Sequence, residues 1–339
     1  MQPKKALKVF ISVALGALFL WLAFKEVEFS EVMEAARNMS YGWILPFTGL
    51  TLLAHYIRAE RWRMLFTNKD KTPSRLTLYT GVMFGYLTNI VLPRVGEVAR
   101  PVYVARQVDE KNSKLIGTIV LERVIDVISM LLIMVFVGVF LVSDPQVLSR
   151  LFGVDFTDSE IQLDLMLTLL TYGAIGLIAV GVLYQLLKVA AKKSEKTAVL
   201  FDKARKTGRT FMDGILAIRE LKNWPLFILY TVLIWCCYIM MTYIPFWMFD
   251  MQEVFGLGVT EALVLTMVSA VGISIPTPGG VGTYHLFITK SLFVLFAVPE
   301  TIGLAYATVA HAATLVVIIA CTPVLLAVDK FYLLKRKTG

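Results

Sequence analysis

The chain has 339 residues, of which 57% are hydrophobic and 17% are charged, and its formal net charge is +8. Soluble domains carry about a quarter of their residues as charges, so this composition excludes an ordinary soluble protein and indicates a polytopic membrane protein. The positive charge lies at the ends of apolar segments, where it indicates membrane orientation and not nucleic-acid binding. Cys236, Cys237 and Cys321 lie inside apolar runs without CxxC spacing, which favours packing over metal or redox chemistry.

Six apolar segments reach the roughly twenty residues that are needed to cross the hydrocarbon core of a bilayer. They are 6–24, 43–63, 115–142, 165–187, 225–248 and 303–327. No small-residue cleavage site follows the first segment, so we expect it to be retained as the first span. The sequence therefore predicts an all-α protein with one transmembrane domain over residues 1–339 and about six full spans.

Lysine and arginine predict the orientation of these spans. The N-terminus, the 188–224 loop and the C-terminal tail are basic, whereas 143–164 and 249–259 are acidic. Basic segments stay in the cytoplasm, so we expect both termini there and the two acidic loops outside. This orientation requires the stretch 76–110 to begin and end in the cytoplasm, and the stretch 260–297 to begin and end outside.

Both of these stretches are interrupted by proline and glycine. LPRVGE breaks 76–110, and ISIPTPGGVGTYH breaks 260–297. Each stretch is either a hairpin of two short spans or a re-entrant pair of half-helices, and the two enter from opposite faces. Irregular backbone at membrane depth is tolerated where it is buried or lines a cavity, and paired broken segments mark the binding sites of transporters. Two unrelated kinks are the alternative, because the stretches share little beyond their topology and a Pro-Gly break.

Arginines near the first break are candidates for binding an anionic headgroup. Arg94, Glu97 and Arg100 follow one another within seven residues, and Arg58 lies about one turn inside the second span. A guanidinium group stays charged and offers two parallel donors to a phosphate, which favours Arg94, Arg100 and Arg58 as phosphate ligands. Glu97 is expected to order these arginines or to bind a basic headgroup.

The second break contributes Gly279, Gly280 and Gly282, which allow the backbone to approach a ligand closely. A nucleotide-binding loop is excluded here, because the Lys-Ser/Thr ending and the preceding strand are missing. We therefore predict that this break forms the wall of the substrate site that faces the arginines.

Glu122, Arg123 and Asp126 lie in the first turns of the third long span, and the two carboxylates share a helical face. One interpretation is a structural clamp in which the carboxylates hold Arg94 or Arg100. Ion coupling or headgroup contact is a second interpretation, and snorkelling to the interface is a third.

Three segments resemble the lysylphosphatidylglycerol synthetase-type transmembrane family. LPRVGEVARPVYVAR is similar to its R-x-GE-x-x-R-P/A signature, LERVIDVI to its ER-x-x-D segment and IPTPGGVGTYH to its P-x-PGG-x-G segment. They occur in the family's order, and the resemblance covers essentially the whole chain. The matching residues are Arg94, Gly96, Glu97, Arg100, Glu122, Arg123, Asp126, Pro276, Pro278, Gly279, Gly280 and Gly282.

The resemblance implies a stand-alone flippase-like domain in the inner (cytoplasmic) cell membrane of a prokaryote, without a cofactor or a metal. In the enzyme that names the family, this domain translocates lysyl-phosphatidylglycerol that a separate soluble transferase domain makes. Many relatives carry a glutamate soon after PGG-x-G, whereas Tyr284 and His285 occupy that stretch here, which argues against proton coupling at that point.

The sequence therefore predicts a flippase that moves a phosphate-bearing phospho-, aminoacyl- or glycolipid across the cytoplasmic membrane. The expected partners are this anionic or lipid-linked substrate and membrane lipids, with a homo-oligomer or a lipid-modifying enzyme left open. The alternative is a membrane glycosyl or phosphoryl transferase, or an accessory subunit of one. A transporter without a catalytic domain is favoured over an enzyme, because no sugar-nucleotide or metal motif is evident.

Overall fold

The computed structural model of the protein describes residues 3–25, 27–66, 72–108, 111–137 and 216–338, together with 171, 206, 209, 212 and 213. These residues form helices and no strand, which confirms the predicted all-α class. The α-helices are α1 (Pro3–Phe24), α2 (Phe29–Arg37), α3 (Ile44–Arg63), α4 (Arg75–Val91), α5 (Gly96–Val108), α6 (Asn112–Phe136), α7 (Trp224–Met248), α8 (Met251–Val254), α9 (Val259–Ser274), α10 (Thr283–Phe296) and α11 (Glu300–Thr338).

Polar side chains stabilise the starts of several helices, where the first backbone N–H groups have no partner within the helix. The Ser74 hydroxyl accepts a hydrogen bond of 3.0 Å from the Thr77 N–H at the start of α4. The Asn223 side chain accepts from the Leu226 N–H at 3.1 Å, and Pro225 occupies the first turn of α7. The boundary between the basic loop and the predicted fifth span is therefore determined locally.

The helices pack around two groups of buried apolar side chains. Trp62, Leu78, Val104 and Leu115 bring together α3, α4, α5 and α6. Phe246, Leu265, Ile288 and Tyr306 bring together α7, α9, α10 and α11. Helix α3 contacts both α4 and α7, and α11 contacts both α4 and α10, so these two helices connect the groups.

The two interrupted stretches each form a pair of short antiparallel helices. Helices α4 and α5 contain 17 and 13 residues, and α9 and α10 contain 16 and 14. At 1.5 Å per residue each is shorter than about 26 Å, whereas the hydrocarbon core is about 30 Å thick. None of these four helices can therefore cross the core by itself unless the bilayer becomes thinner around it.

The breaks of the two pairs lie against each other. The Arg94 Nη2 in the first break donates a hydrogen bond of 2.8 Å to the backbone carbonyl of Ser274, the last residue of α9. A Cβ placed on Gly279 in the second break would lie 3.5 Å from the Cα of Ile90. Both breaks use left-handed backbone, at Arg94 in the first and at three glycines in the second.

Two of the predicted spans coincide with helices that are long and apolar enough to cross a membrane. These are α7 and α11 among the described residues. The predicted spans 6–24, 43–63 and 115–142 coincide with α1, α3 and α6 as far as the described residues reach. The span 165–187 and most of the basic loop 188–224 lie outside the described residues, and the predicted orientation stays a prediction.

Candidate functional site

A group of charged side chains from α3, α5 and α6 lies in the interior of the helix assembly. We call it the buried charge cluster, and it comprises Arg58, Arg61, Arg100, Glu122, Arg123 and Asp126. The side chains of Arg58, Arg61 and Glu122 are exposed by 3% or less. An ionised group in such a position requires close partners of opposite charge.

Helical spacing explains why α3 and α6 face each other with these residues. Arg58 and Arg61 are three residues apart, and Glu122 and Asp126 are four apart, so each pair shares one helical face. Arg58 Nη1 lies 2.6 Å from Glu122 Oε1 and 3.0 Å from Asp126 Oδ2. Arg61 Nη2 lies 2.6 Å from Asp126 Oδ1. The two arginines thus share two carboxylates across the interface.

Arg100 reaches the same carboxylate from α5. Its Nη2 lies 3.1 Å from Glu122 Oε2, and its Nη1 donates to Glu122 Oε1 at 3.3 Å. The guanidinium carbon lies 4.0 Å from the ring centroid of Trp62, a distance at which the ring face attracts a cation. Arg100 is therefore held between a carboxylate and an aromatic face.

Helix α7 supplies hydroxyl groups to the cluster. The Tyr238 hydroxyl accepts a hydrogen bond of 2.7 Å from Arg58 Nη2. The Thr231 hydroxyl accepts one of 3.3 Å from Arg61 Nη1 and donates to the carbonyl of Phe227. Each of the two arginines thus contacts the carboxylates through one terminal nitrogen and a hydroxyl group of α7 through the other.

The cluster carries more positive than negative charge. Four guanidinium groups face two carboxylates among the described residues, which leaves a net charge of +2. The Nε groups of all four arginines are buried and make no hydrogen bond in the described part of the chain. Arginine can donate hydrogen bonds but cannot accept them, so these Nε groups can bind an acceptor. The excess positive charge favours an acceptor that is an anion. Arg123, with 40% of its side chain exposed, is the most accessible of the four.

The structure separates the predicted site residues. Arg58 and Arg100 lie in the buried charge cluster, and both contact Glu122. Arg94 and Glu97 lie outside it and are exposed. The left-handed backbone at Arg94 turns its side chain towards the end of α9, away from the cluster.

The glycines of the second break lie between helices. Gly279 faces α4, and Gly280 lies beside Ile273 and His311. A Cβ on Gly282 would lie 2.3 Å from the carbonyl oxygen of Gly16 in α1, so this residue allows α1 to pack against the break. Close helix packing explains Gly282 without a ligand, and a role of the three glycines in substrate binding stays a prediction.

Sequence reasoning missed Arg61 and the two hydroxyl groups of Thr231 and Tyr238. The spacing of Arg58 and Arg61 was a usable signal. Residues three apart share one face of a helix, and this face of α3 lies towards α6. Nothing local marks Thr231 or Tyr238, since their role depends on which face of α7 packs against α3.

One comparison with known proteins gives a match. The sequence model of the family described as the lysylphosphatidylglycerol synthase TM region matches residues 9–321, which include all three resembling segments and the whole buried charge cluster. No curated protein and no solved structure matches the chain. Because the match extends over most of the sequence, the chain belongs to the lysylphosphatidylglycerol synthase transmembrane-region family, whose members are membrane proteins related to lipid handling.

Proposed function

We propose that this protein is a flippase that moves a phosphate-bearing lipid across the inner cell membrane of a prokaryote, with both of its termini in the cytoplasm. The observation that carries the proposal is the buried excess of guanidinium groups in the buried charge cluster. The four arginines and two carboxylates of the cluster leave a net charge of +2. A lipid phosphate diester bears one negative charge, so its binding lowers this net charge.

The exposed face of α6 favours a lipid over a soluble anion. Arg123, Val127, Leu131 and Val135 follow one another at intervals of four residues and therefore form one stripe along the helix. The three apolar members are exposed by 49%, 52% and 63%. The stripe extends for about 18 Å from the half-exposed guanidinium, a length that suits an acyl chain.

Charge and exposure support a separate role for each residue of the cluster. Arg123 is the first contact for the phosphate, because it is the most exposed guanidinium of the cluster. Arg100 is the second, because its Nη2 as well as its Nε is buried without a hydrogen bond in the described part of the chain, whereas in Arg58 and Arg61 this holds for Nε alone. Glu122 and Asp126 hold the arginines in place and limit the affinity, so that the phosphate can leave again.

Purified protein in liposomes tests this proposal. The vesicles contain traces of fluorescent phosphatidylglycerol, phosphatidic acid or polyprenyl phosphate, and a membrane-impermeant quencher reports how fast each label reaches the outer leaflet. We expect the protein to accelerate the movement of at least one anionic label. Arg123→Gln should slow it about tenfold or more, because a hydrogen bond to a charged group contributes about 1.5–3 kcal/mol.

Arg63→Gln is the matched control. Its side chain is also 40% exposed, but it lies at the end of α3 and contacts Glu60 at 3.9 Å outside the cluster. Equal rates in the two variants, or no acceleration of any anionic label, would overturn the proposal. Chemical conversion of a label by the purified protein would indicate the transferase alternative instead.

A further inference from the structure

Another buried carboxylate lies outside the buried charge cluster. Asp329 on α11 is 0% exposed, and three side chains donate hydrogen bonds to it. The Thr77 hydroxyl of α4 lies 2.8 Å from Oδ1. The Tyr103 hydroxyl and the Gln107 amide of α5 lie 2.5 Å and 3.3 Å from Oδ2. Asp329 follows the last residue of the family match, so the family relationship assigns it no role.

The partners of Asp329 differ in kind from those of Glu122 and Asp126. Arginine can only donate hydrogen bonds, so the buried charge cluster accommodates its carboxylates in the ionised form alone. A hydroxyl group and a side-chain amide can each donate or accept. The three partners of Asp329 can therefore satisfy the carboxylate, and after reorientation they can also accept a hydrogen bond from the protonated acid.

The side chain of Gln107 already has an acceptor atom that could bind the protonated acid. Its Oε1 is buried and makes no hydrogen bond in the described part of the chain, while its Nε2 donates to Asp329. Rotation of the amide by half a turn exchanges the two atoms and presents an acceptor to the carboxyl group. The Thr77 hydroxyl can turn as well, because it also lies 2.9 Å from the Ser74 hydroxyl.

A groove lies next to two of the hydrogen-bond partners of Asp329. It has a volume of about 360 Å³ and is lined by Tyr103, Gln107, Leu326, Lys330, Leu333 and Leu334. Two of the partners of Asp329 thus form part of its wall. Asp329 lies 29 residues beyond the start of α11, or about 44 Å along the helix, which exceeds the roughly 30 Å of hydrocarbon. We therefore expect the groove to open near an aqueous interface.

The charged groups on the surrounding helices do not pair with Asp329 in the described part of the chain. On α4, Arg75 contacts Glu60 of α3 at 3.0 Å. On α5, Arg106 is exposed, and on α11 the neighbouring Lys330 is exposed at the rim of the groove. Tyr103 is the ionisable group in direct contact with the carboxylate. Protonation of Asp329 therefore removes a negative charge that no positively charged side chain contacts in the described part of the chain.

We propose that Asp329 is a proton-binding site that exchanges with water through the groove between α5 and α11. A proton from water binds to a carboxylate oxygen, and Gln107 and Tyr103 reorient to accept the new O–H group. That this binding drives lipid movement rests on the proposed function, whereas proton binding itself does not.

Infrared difference spectroscopy of the protein in vesicles tests proton binding without any lipid assay. We expect a carboxylic C=O band that appears on acidification in the wild type and is lost in Asp329→Asn. In Gln107→Leu the band should remain but appear at a different pH, because the amide no longer contacts the carboxyl group. Asp250→Asn, at an exposed turn with left-handed backbone that asparagine tolerates, is the control for an ordinary carboxyl group.

The band lost in Asp250→Asn should not respond to Gln107→Leu. If no band depends on both Asp329 and Gln107, the inference is wrong, whatever the lipid assay shows. Coupling between proton binding and lipid movement is measured with the label that the wild type moves. The quantity is the steady-state ratio of this label between the two leaflets under an imposed gradient of about one pH unit. One-to-one coupling drives this leaflet ratio towards about tenfold in the wild type, and Asp329→Asn should lose the response.

A ratio near one in the wild type would overturn the coupling even if the infrared band is present. A wild type that moves no label but shows the Asp329 band would refute the proposed flippase and leave the proton site standing. The two proposals can therefore fail separately.

Discussion

At the scale of single residues, one oxygen atom of Glu122 holds the buried charge cluster together. Its Oε1 lies 2.6 Å from Arg58, 3.3 Å from Arg100, 3.4 Å from Arg61 and 3.5 Å from Arg123. Four guanidinium groups can approach one another this closely only around a negative charge, because like charges repel strongly where water is excluded. The carboxylate is therefore as much a structural requirement as a part of the proposed binding site.

We predict that Glu122→Gln lowers the stability of the protein by about 3–5 kcal/mol, the range found when one partner of a buried ion pair is removed. The amide keeps the shape of the side chain but leaves the cluster with one more unpaired positive charge. Thermal unfolding of the protein in detergent measures the change. Glu34→Gln is the comparison, because Glu34 is exposed on α2 and substitutions at exposed positions usually change the stability by about 0.5 kcal/mol or less. Equal melting temperatures for the two variants would contradict this account of Glu122.

At the scale of helices, the position of Arg100 depends on how closely α4 and α5 approach. A Cβ on Gly96 would lie 1.9 Å from the carbonyl oxygen of Gly85, so only glycine fits there. The Gly96 N–H donates a hydrogen bond of 2.6 Å to the Asn89 side chain, which fixes the start of α5 on the end of α4. Gly85 in turn lies against the Cβ of Arg100. The pairing of these two short helices therefore directs Arg100 into the cluster.

Gly96→Ala should separate α4 from α5 and lower the stability by at least about 1–3 kcal/mol, the usual cost of overpacking. It should also reduce lipid movement, because Arg100 moves with α5. Gly49→Ala is a control of opposite sign. Gly49 lies on the exposed face of α3 with nothing within 4 Å of an added Cβ, and alanine is favoured over glycine in a helix by about 0.5–1 kcal/mol. Melting temperatures that move in the same direction in both variants would show that the close contact does not matter.

At the scale of the whole molecule, the sequence was informative where the relevant contacts are periodic and local. The spacing of Glu122 and Asp126 predicted a common face, and the Pro-Gly breaks predicted where the short helices end. Arg61, Thr231 and Tyr238 could not be predicted, because their partners depend on how α3, α6 and α7 are rotated against one another. Asp329 follows an apolar run and looks like part of a basic tail, so only the packing of α11 on α4 and α5 reveals its partners.

The opposed orientation of the two helix pairs is a prediction about the whole molecule that labelling from one side of the membrane can test. If it holds, cysteines at Lys111 and at Glu300, one beside each pair, lie on opposite sides of the membrane. In a protein whose three native cysteines are replaced by alanine, a membrane-impermeant maleimide added to intact cells should label Glu300→Cys but not Lys111→Cys. Lys222→Cys and Glu253→Cys calibrate the two sides, because Lys222 is exposed just before α7 and Glu253 is exposed in α8 just after it. Because α7 is long and apolar enough to span, these two positions must differ in labelling if the experiment works. Labelling of Lys111→Cys together with Glu253→Cys would place both helix pairs on one face, and the predicted opposed orientation of the two interrupted stretches would then be wrong.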